Sequence, residues 1–193
     1  MEKDIVKLPS AGLRQKAERV HVITDEVLEI IEKMRAASLD WEEKHPHEMS
    51  AAMAAPQIGE MLRVVIIRDS LENKGDKGFT ALINPEVVKL EGSIAEDYEG
   101  CLSVPGIYGM VPRNTKIRVK ALLEDGREVR LKATDSLART LLHEIDHLNG
   151  VLFIDYIRDQ EDAFFELDDE GEIRPVDYEM RIRNNKVLWG DEE

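Results

Sequence analysis

The segment His143-Glu144-Ile145-Asp146-His147 places an acid next to two metal-binding side chains. Residues four apart lie on one face of a helix, so His143 and His147 can bind the same divalent cation. Glu144 directly follows the first histidine, close enough to exchange a proton with water on that cation without being a ligand itself. The segment is therefore predicted to be a helical metal site that carries its own general acid/base.

The flanking sequence predicts the helix on which this motif lies. Thr134, Asp135 and Ser136 are N-cap candidates, and Asn149-Gly150 is a stop signal. Between them the helix carries regularly spaced apolar residues, namely Leu137, Leu141, Leu142, Ile145 and Leu148. Buried histidines and carboxylates need partners, so this apolar setting favours a metal site over an ordinary charged turn.

A catalytic metal site usually has three protein ligands and one position left for water, so the motif needs a third donor. The extended form of the motif ends in another histidine, but residue 153 is Phe. A downstream carboxylate such as Asp155 is one candidate. Cys101, the single cysteine, is the other. A lone cysteine is more often a small buried apolar residue, so the residues alone leave the third ligand open.

A third segment, Ala54-Ala55-Pro56-Gln57-Ile58-Gly59, places one amide among small residues. Small residues let the backbone approach a ligand closely, and the amide of Gln57 could donate a hydrogen bond to a developing oxyanion. The same residues would also form an ordinary tight loop before a strand. The segment therefore predicts a candidate donor and no more.

Composition indicates a globular protein. With 193 residues, 42% hydrophobic and 34% charged, the chain suits one domain, or one domain with an appendage. No run approaches the roughly 18 apolar residues of a membrane span, and residues 1–4 lead to no apolar signal core. The single cysteine fits a reducing compartment, so we expect a cytoplasmic protein. The net charge of -14 argues against direct DNA binding.

The elements that position these residues are expected to form an α+β fold, with antiparallel β-sheet packed around a central metal-binding helix. The pattern predicts four other elements: a helix over residues 25–43 with Thr24 as N-cap, a strand over 63–68 buried on both faces, a strand over 79–90 interrupted at Asn84-Pro85, and a hairpin over 116–132 with its turn at Asp125-Gly126.

We expect two parts along the chain. Residues 1–158 would form the catalytic domain. Residues 159–193 would form an acidic C-terminal extension packed on the same domain. Residues Tyr178 to Trp189 alternate enough to predict a final strand.

The three motifs, in this order and at these separations, resemble peptide deformylase. That family carries G-x-G-φ-A-A-x-Q (φ apolar), then E-G-C-L-S, then H-E-x-D-H. This chain has Ser50-Ala-Ala-Met-Ala-Ala-Pro-Gln57, then Glu99-Gly-Cys-Leu-Ser103, then the helical motif. The second and third match in full. The first has Ser50 and Ala52 where the family usually has glycine, and a Cβ at residue 52 is expected to exclude glycine-only dihedrals and to narrow the cleft. The resemblance extends from about residue 7 to 157.

The resemblance implies metal-dependent removal of the formyl group from the N-terminal formylmethionine of new polypeptides. Its metal ligands would be Cys101, His143 and His147. The family usually works with Fe²⁺, while Zn²⁺, Ni²⁺ or Co²⁺ are alternatives in purified protein. The ion would lower the pKa of bound water towards neutrality. Glu144 would transfer protons from that water to the leaving amine.

The resemblance also implies supporting roles. The side chain of Gln57 and the backbone N–H of Leu102 would donate hydrogen bonds to the oxyanion, and the bound peptide would contact Ala51, Ala52 and Gly100. Glu99 and Arg113 would form a buried ion pair that fixes the cysteine loop. Two other functions stay open. One is a metallopeptidase using the histidines and a downstream carboxylate. The other is a non-catalytic protein that binds N-termini, which only the altered segment from Ser50 to Ala52 favours.

The expected partner is the nascent formylated polypeptide, and through it the ribosome near the exit of the nascent chain. A basic and aromatic cluster near the C-terminus could touch rRNA; it consists of Arg181, Arg183, Lys186 and Trp189. No membrane partner is expected. The chain is expected to be a monomer or a homodimer, with the predicted final strand as a second candidate interface.

Overall fold

The structure is a computed structural model that describes residues 5–45, 48–73, 75–168 and 171–190. Its helices are α1 (Asp25–Lys44), α2 (Asp135–His147) and α3 (Lys186–Trp189), and its strands are β1 (Ala52–Ala54), β2 (Val64–Arg68), β3 (Phe79–Cys101), β4 (Val104–Leu122), β5 (Glu128–Thr134), β6 (Phe164–Leu167) and β7 (Ile173–Pro175). The strands form an antiparallel sheet in the order β1-β2-β3-β4-β6-β7, with β5 paired to β4. The α+β prediction is confirmed.

Strand β2 lies between the two long helices. Val65 and Ile67 belong to the core cluster that contains the apolar face of α2, whereas Val64 and Ile66 belong to the cluster that contains α1. Successive side chains of a strand point to opposite faces, so a strand covered on both sides needs an uninterrupted apolar run. The sequence supplies that run, and the predicted doubly buried strand is confirmed.

Strands β3 and β4 form a long hairpin whose tip is the two-residue turn Leu102-Ser103. The predicted interruption at Asn84-Pro85 is a register shift within β3 and does not end the strand. Asn84 adopts a positive φ of 52°, and its side chain bonds both the N–H and the carbonyl of Val20. The predicted hairpin is confirmed, because β4 pairs with β5 around the turn that contains Gly126.

Helix α2 carries the metal motif as predicted. It starts after Thr134, whose side chain makes no capping hydrogen bond, and ends at His147. Its buried face includes His143, Glu144 and His147 among apolar residues. Since α2 packs on β1 and β4, that face is turned towards the sheet.

The strand predicted over Tyr178–Trp189 is wrong. These residues form a π-helical turn, Glu179–Arg183, followed by α3. In a strand, residues 180 and 182 would point to the same face. Met180 is 80% exposed whereas Ile182 is fully buried, so the segment does not have the burial pattern of a strand. The side chain of Asn185 accepts hydrogen bonds from two backbone N–H groups of α3 and fixes its start.

The described part of the C-terminal extension packs against the end of the β3–β4 hairpin. Strand β6 pairs with β4 at Tyr108 and Gly109. Phe164, Ile182 and Leu188 share a core cluster with apolar residues of β4. The boundary between residues 158 and 159 stays a prediction. Within the described ranges, no helix is long and apolar enough to cross a membrane.

Candidate metal centre and cleft

Cys101, His143 and His147 come together although they belong to different elements. Cys101 ends β3, and both histidines lie on α2. One ligand atom from each residue lies within 4.8 Å of the others, and the Cys101 Sγ is 3.1 Å from the His147 Nε2. One sulfur and two imidazole nitrogens form a donor set that suits Zn²⁺, Fe²⁺, Co²⁺ or Ni²⁺. The three side chains therefore fit a divalent metal ion.

Glu99 orients the first histidine. Its Oε2 lies 2.9 Å from the His143 Nδ1, which leaves Nε2 of that ring for the cluster. Arg113 donates to both oxygens of Glu99, from Nε at 2.8 Å and from Nη2 at 3.0 Å. Burial opposes the charge of Glu99, but hydrogen bonds with His143 and Arg113 outweigh it and lower the pKa of Glu99 to about 2. Glu99 thus stays an anion that holds the ring in one orientation.

Two more side chains complete this network. Arg139 donates to Glu99 at 2.8 Å and to the carbonyl of Val111 at 2.7 Å. Arg139 is not predicted from the sequence motifs, although a residue four positions before His143 lies on the same face of α2. Asp146 accepts from Arg113 at 2.5 Å. Arg113 is therefore held between two carboxylates, one on β3 and one on α2.

The charges around the cluster favour a thiolate. Burial raises the pKa of Cys101, but the charge of His147 and hydrogen bonds with both histidines outweigh it and lower that pKa to about 5. Burial also raises the pKa of Glu144 and outweighs the nearby histidines. The Glu144 Oε2 is buried with no hydrogen-bond partner in the part of the chain that the structure describes. A carboxyl group with a raised pKa suits proton transfer near neutral pH.

The amide of Gln57 is turned towards the same place. Gln57 is buried in the 3-10 turn that follows β1. Its Oε1 accepts from the Ala54 N–H at 2.8 Å, so its NH₂ group lies 3.7 Å from the Cys101 Sγ and 3.3 Å from the Ser103 Oγ. Leu102 follows Cys101 in the hairpin turn, outside the β-ladder. The NH₂ group of Gln57 therefore lies beside the thiol, and the Leu102 N–H is the next backbone donor along the chain.

A cleft of about 650 Å³ opens at this centre. Residues 50–52 and Gly100 are among its lining, together with Cys101. Tyr108 donates from its hydroxyl to Glu48 at 3.1 Å, and its ring packs so closely on Gly100 that a Cβ there would lie 2.7 Å from it.

The non-glycine residues in the first motif cause no backbone strain. Among the described residues other than glycine, a positive φ occurs at Asn84 and Asp135, and so neither at Ser50 nor at Ala52. Ala52 thus adopts no glycine-only conformation, as expected for a residue with a Cβ, and its narrowing of the cleft stays a prediction. Ala52 has ordinary strand geometry because it pairs with Ile67 of β2.

A cleft that brings a thiol and two imidazoles together beside a buried carboxyl group and the amide of Gln57 is typical of metal-dependent hydrolases. Comparison with known families is more specific. The sequence model described as Polypeptide deformylase matches residues 2–163. The chain belongs to the polypeptide deformylase family, and the resemblance seen in its motifs is confirmed.

Individual relatives agree with this assignment. The peptide deformylase of Thermomicrobium roseum is 43% identical over 164 residues, which cover 83% of this chain and 88% of that relative. The peptide deformylase of Halothermothrix orenii is 42% identical over 153 residues, covering 79% and 92%. Among solved structures, a Synechococcus elongatus peptide deformylase in complex with actinonin matches with a TM-score of 0.71 and 36% identity, covering 81% of this chain and 79% of the other. The peptide deformylase from Thermotoga maritima matches with the same TM-score and 30% identity, covering 81% and 97%.

Proposed function

We propose that this chain hydrolyses the formyl group from the N-terminal formylmethionine of newly synthesised polypeptides, releasing formate and a free amino terminus. The observation that carries the proposal is the meeting of Cys101, His143 and His147 beside Glu144, in a chain of the polypeptide deformylase family. The proposed substrate is a linear amide at the end of a peptide, which an open cleft can admit.

The proposed metal ligands are Cys101, His143 and His147. A divalent ion held by them would act as a Lewis acid and would lower the pKa of coordinated water. We propose Fe²⁺ as the ion in the cell, because the family resemblance favours it, although the donor set also accepts Zn²⁺, Ni²⁺ and Co²⁺. Metal analysis of anaerobically purified protein, and activity after loading with each ion in turn, tests this choice.

Glu144 is the proposed general acid/base. It takes a proton from the attacking water and delivers it to the amine as the C–N bond breaks. Its buried carboxyl group with a raised pKa supports this role. The NH₂ group of Gln57 and the backbone N–H of Leu102 are proposed to donate to the formyl oxygen as it gains negative charge. The orientation of Gln57, fixed by Ala54, supports its part.

The residues that border the cleft are proposed to bind the peptide. Ala51, Ala52 and Gly100 all line it. Small side chains at these positions leave the backbone open to a bound peptide. Glu99 and Arg113 are proposed to act from behind, by holding His143 and the end of β3 in place.

The metallopeptidase alternative needs a downstream carboxylate as third ligand, and the contacts of Asp155 oppose it. Both oxygens of Asp155 accept from Arg14, and one also accepts from the backbone N–H of Leu152. The candidate cluster contains Cys101 instead. Metal content of Cys101→Ala separates the two functions, since the deformylase proposal expects that metal is lost and the peptidase expects that it stays.

The deciding experiment measures deformylation of a formyl-Met tripeptide by anaerobically purified, Fe²⁺-loaded protein, beside Glu144→Ala. Turnover by the parent is expected, with a loss of about 100- to 10,000-fold in the variant, the range of general acid–base catalysis. No turnover at full metal occupancy would overturn the proposal and leave the non-catalytic binding function.

We also propose a cytoplasmic location, which suits a single unpaired cysteine and a nascent substrate. Whether the chain is a monomer or a homodimer stays a prediction, and light scattering at several concentrations decides between them.

Ribosome contact through the C-terminal cluster also stays a prediction. Arg181 pairs with Glu166, and Arg183 pairs with Glu161, so part of that positive charge is neutralised within the chain. Co-sedimentation with ribosomes of a variant carrying Arg181→Ser, Arg183→Ser and Lys186→Ser tests it. If binding were unchanged, the contact would have to lie elsewhere.

A further inference from the structure

A buried ion pair bonds to the cleft-lining segment, although neither of its two residues lines the cleft. Glu42 is in the last turn of α1, and Arg68 ends β2. Their side chains are 8% and 0% exposed, and the Arg68 Nη2 donates to the Glu42 Oε1. The pair belongs to none of the three motifs that suggest the function.

Both charges are directed at the backbone of Ser50. The Glu42 Oε1 accepts from the Ser50 N–H at 2.8 Å, and the Arg68 Nε donates to the Ser50 carbonyl at 3.3 Å. The backbone N–H of Arg68 donates to the carbonyl of Ala51 at 2.9 Å. Ser50 and Ala51 precede β1. The bond to Ala51 continues the pairing of β1 with β2, whereas the backbone of Ser50 is held by the two charged side chains. Ser50 and Ala51 both line the cleft.

The pair is itself fixed from other directions. The guanidinium of Arg68 lies 5.0 Å from the centre of the Phe79 ring and also donates to the carbonyl of Asp76. Arg68 thus ties together α1, the start of β3 and the loop before β3. A buried ion pair is a weak source of stability, because desolvation offsets the attraction of the charges. The pair instead fixes the position of the Ser50 backbone and of the adjoining Ala51.

We propose that Glu42 and Arg68 are positioning residues that hold the backbone of residues 50 and 51 in the place where it binds the peptide. The inference rests on the proposed function. Their side chains bond to each other and to backbone groups of Ser50 and Asp76, and neither residue lines the cleft that holds the metal centre. The pair therefore governs how tightly substrate is held and leaves the hydrolytic step unchanged, which is the signature of uniform binding.

The test compares Michaelis constants for a formyl-Met tripeptide. The double variant Glu42→Leu/Arg68→Met removes both charges at similar volume, so it avoids leaving one buried charge unpaired. We expect KM to rise about tenfold with kcat changed less than about twofold, as loss of uniform binding requires. The matched control is Arg35→Met/Glu124→Leu, which removes another ion pair made by α1; Arg35 bonds Glu32, Glu124 and the carbonyl of Phe79 and not residues 50 or 51. It should leave KM unchanged.

Hydrogen exchange supplies a readout that does not depend on turnover. The Ser50 amide donates to Glu42, so it should be protected in the parent and in the control, and should lose protection in the Glu42→Leu/Arg68→Met variant. A rise in KM together with faster exchange at Ser50 supports the inference. An unchanged KM despite faster exchange, or equal KM changes in both double variants, would overturn it. Absence of turnover in the parent would instead overturn the proposed function.

Discussion

At the scale of single residues, the candidate metal centre depends on groups that are not ligands. Glu99 connects His143 to Arg113 and Arg139, so the orientation of one imidazole is set by an anion that two guanidinium groups hold in place. Gln57 is oriented in the same indirect way, because the Ala54 N–H uses its oxygen. His143 and the Gln57 amide are thus positioned by neighbouring groups before any ligand is bound, which is how preorganised sites lower the cost of reaction.

Replacing Glu99 with Gln should weaken metal binding. Gln keeps the shape of the side chain but removes the charge that orients His143, and loss of such a partner typically lowers metal affinity about 10- to 100-fold. Competition with a chromophoric chelator measures that affinity. Glu96→Gln, an exposed change on the same strand, is the control and should leave it unchanged. Equal affinities in all three proteins would contradict the role of Glu99.

Replacing Gln57 with Ala should lower kcat strongly and change KM little. The proposed hydrogen bond forms fully only as the formyl oxygen gains charge, and removal of one such donor costs about 100- to 1,000-fold in rate. Steady-state kinetics on the formyl-Met tripeptide gives both constants. Gln160→Ala serves as the control, because Gln160 is exposed and lies after α2 in the chain. A rise in KM with kcat unchanged would contradict this role, because it would show that Gln57 binds the substrate equally well before and during the reaction.

At the scale of secondary-structure elements, the centre forms where the tip of the β3–β4 hairpin meets the buried face of α2. Cys101 and the turn residue Leu102 come from the hairpin, and the histidines come from the helix. The hairpin end is shaped by the contact between Gly100 and the Tyr108 ring, which face each other across the two strands. Tyr108 then reaches Glu48, so one aromatic side chain links β4 to the segment before β1.

Gly100→Ala should displace the Tyr108 ring. A Cβ at residue 100 would lie 2.7 Å from that ring, and overpacking of this kind typically costs about 1–3 kcal/mol of unfolding free energy. Urea unfolding measures the change. In a Tyr108→Ala background the same substitution should cost much less, because the obstructing ring is gone. Gly12→Ala, where the nearest atom is 3.9 Å from the new Cβ, is the neutral control. A cost that persisted without the ring would rule out this contact as its cause.

The sequence predicted the local parts of this arrangement better than the distant ones. His143, Glu144 and His147 share one helix face, so their spacing alone indicated a metal site. Cys101 lies 46 positions from His147, and only the family resemblance favoured it over Asp155. The Glu42–Arg68 pair could not be predicted, because it depends on where α1 ends and on the register of β1 and β2, neither of which a single sequence determines.

The predicted final strand failed for a different reason. The alternating pattern in this segment consists of few apolar residues, and one of them, Met180, is exposed. Two buried positions in the segment, Ile182 and Leu188, fit a helical turn as well as a strand. The deciding signal was Asn185, whose side chain caps α3. A cap residue is informative only when the helix after it is long enough to recognise, and α3 has four residues.

At the scale of the whole molecule, the described residues form three core clusters, and the C-terminal extension contributes to one of them. Phe164, Ile182 and Leu188 pack with Phe153 and Ile157, which directly follow the metal helix in sequence. Arg14 near the N-terminus donates to the carbonyl of Leu188 and pairs with Asp155, so both ends of the described chain meet beside this cluster. The extension should therefore unfold together with the catalytic part.

The two tryptophans allow a direct test, because Trp41 lies in α1 and Trp189 lies in α3. Trp189→Phe leaves a reporter of the catalytic part, and Trp41→Phe leaves a reporter of the extension. If the chain is one cooperative unit, both variants should give the same m-value in urea, and each reporter should follow the same transition as far-UV circular dichroism of its own variant.

Ile182→Ala in each single-tryptophan background sharpens the result. Removing this fully buried side chain should cost about 2–5 kcal/mol and should lower the midpoint seen by the distant Trp41 as much as that seen by Trp189. Met180→Ala, an exposed change two residues away, should stay within about 0.5 kcal/mol. A midpoint that fell for Trp189 while the Trp41 transition stayed in place would show that the extension unfolds on its own. The core that it shares with β4 would then contribute nothing to holding the metal centre together.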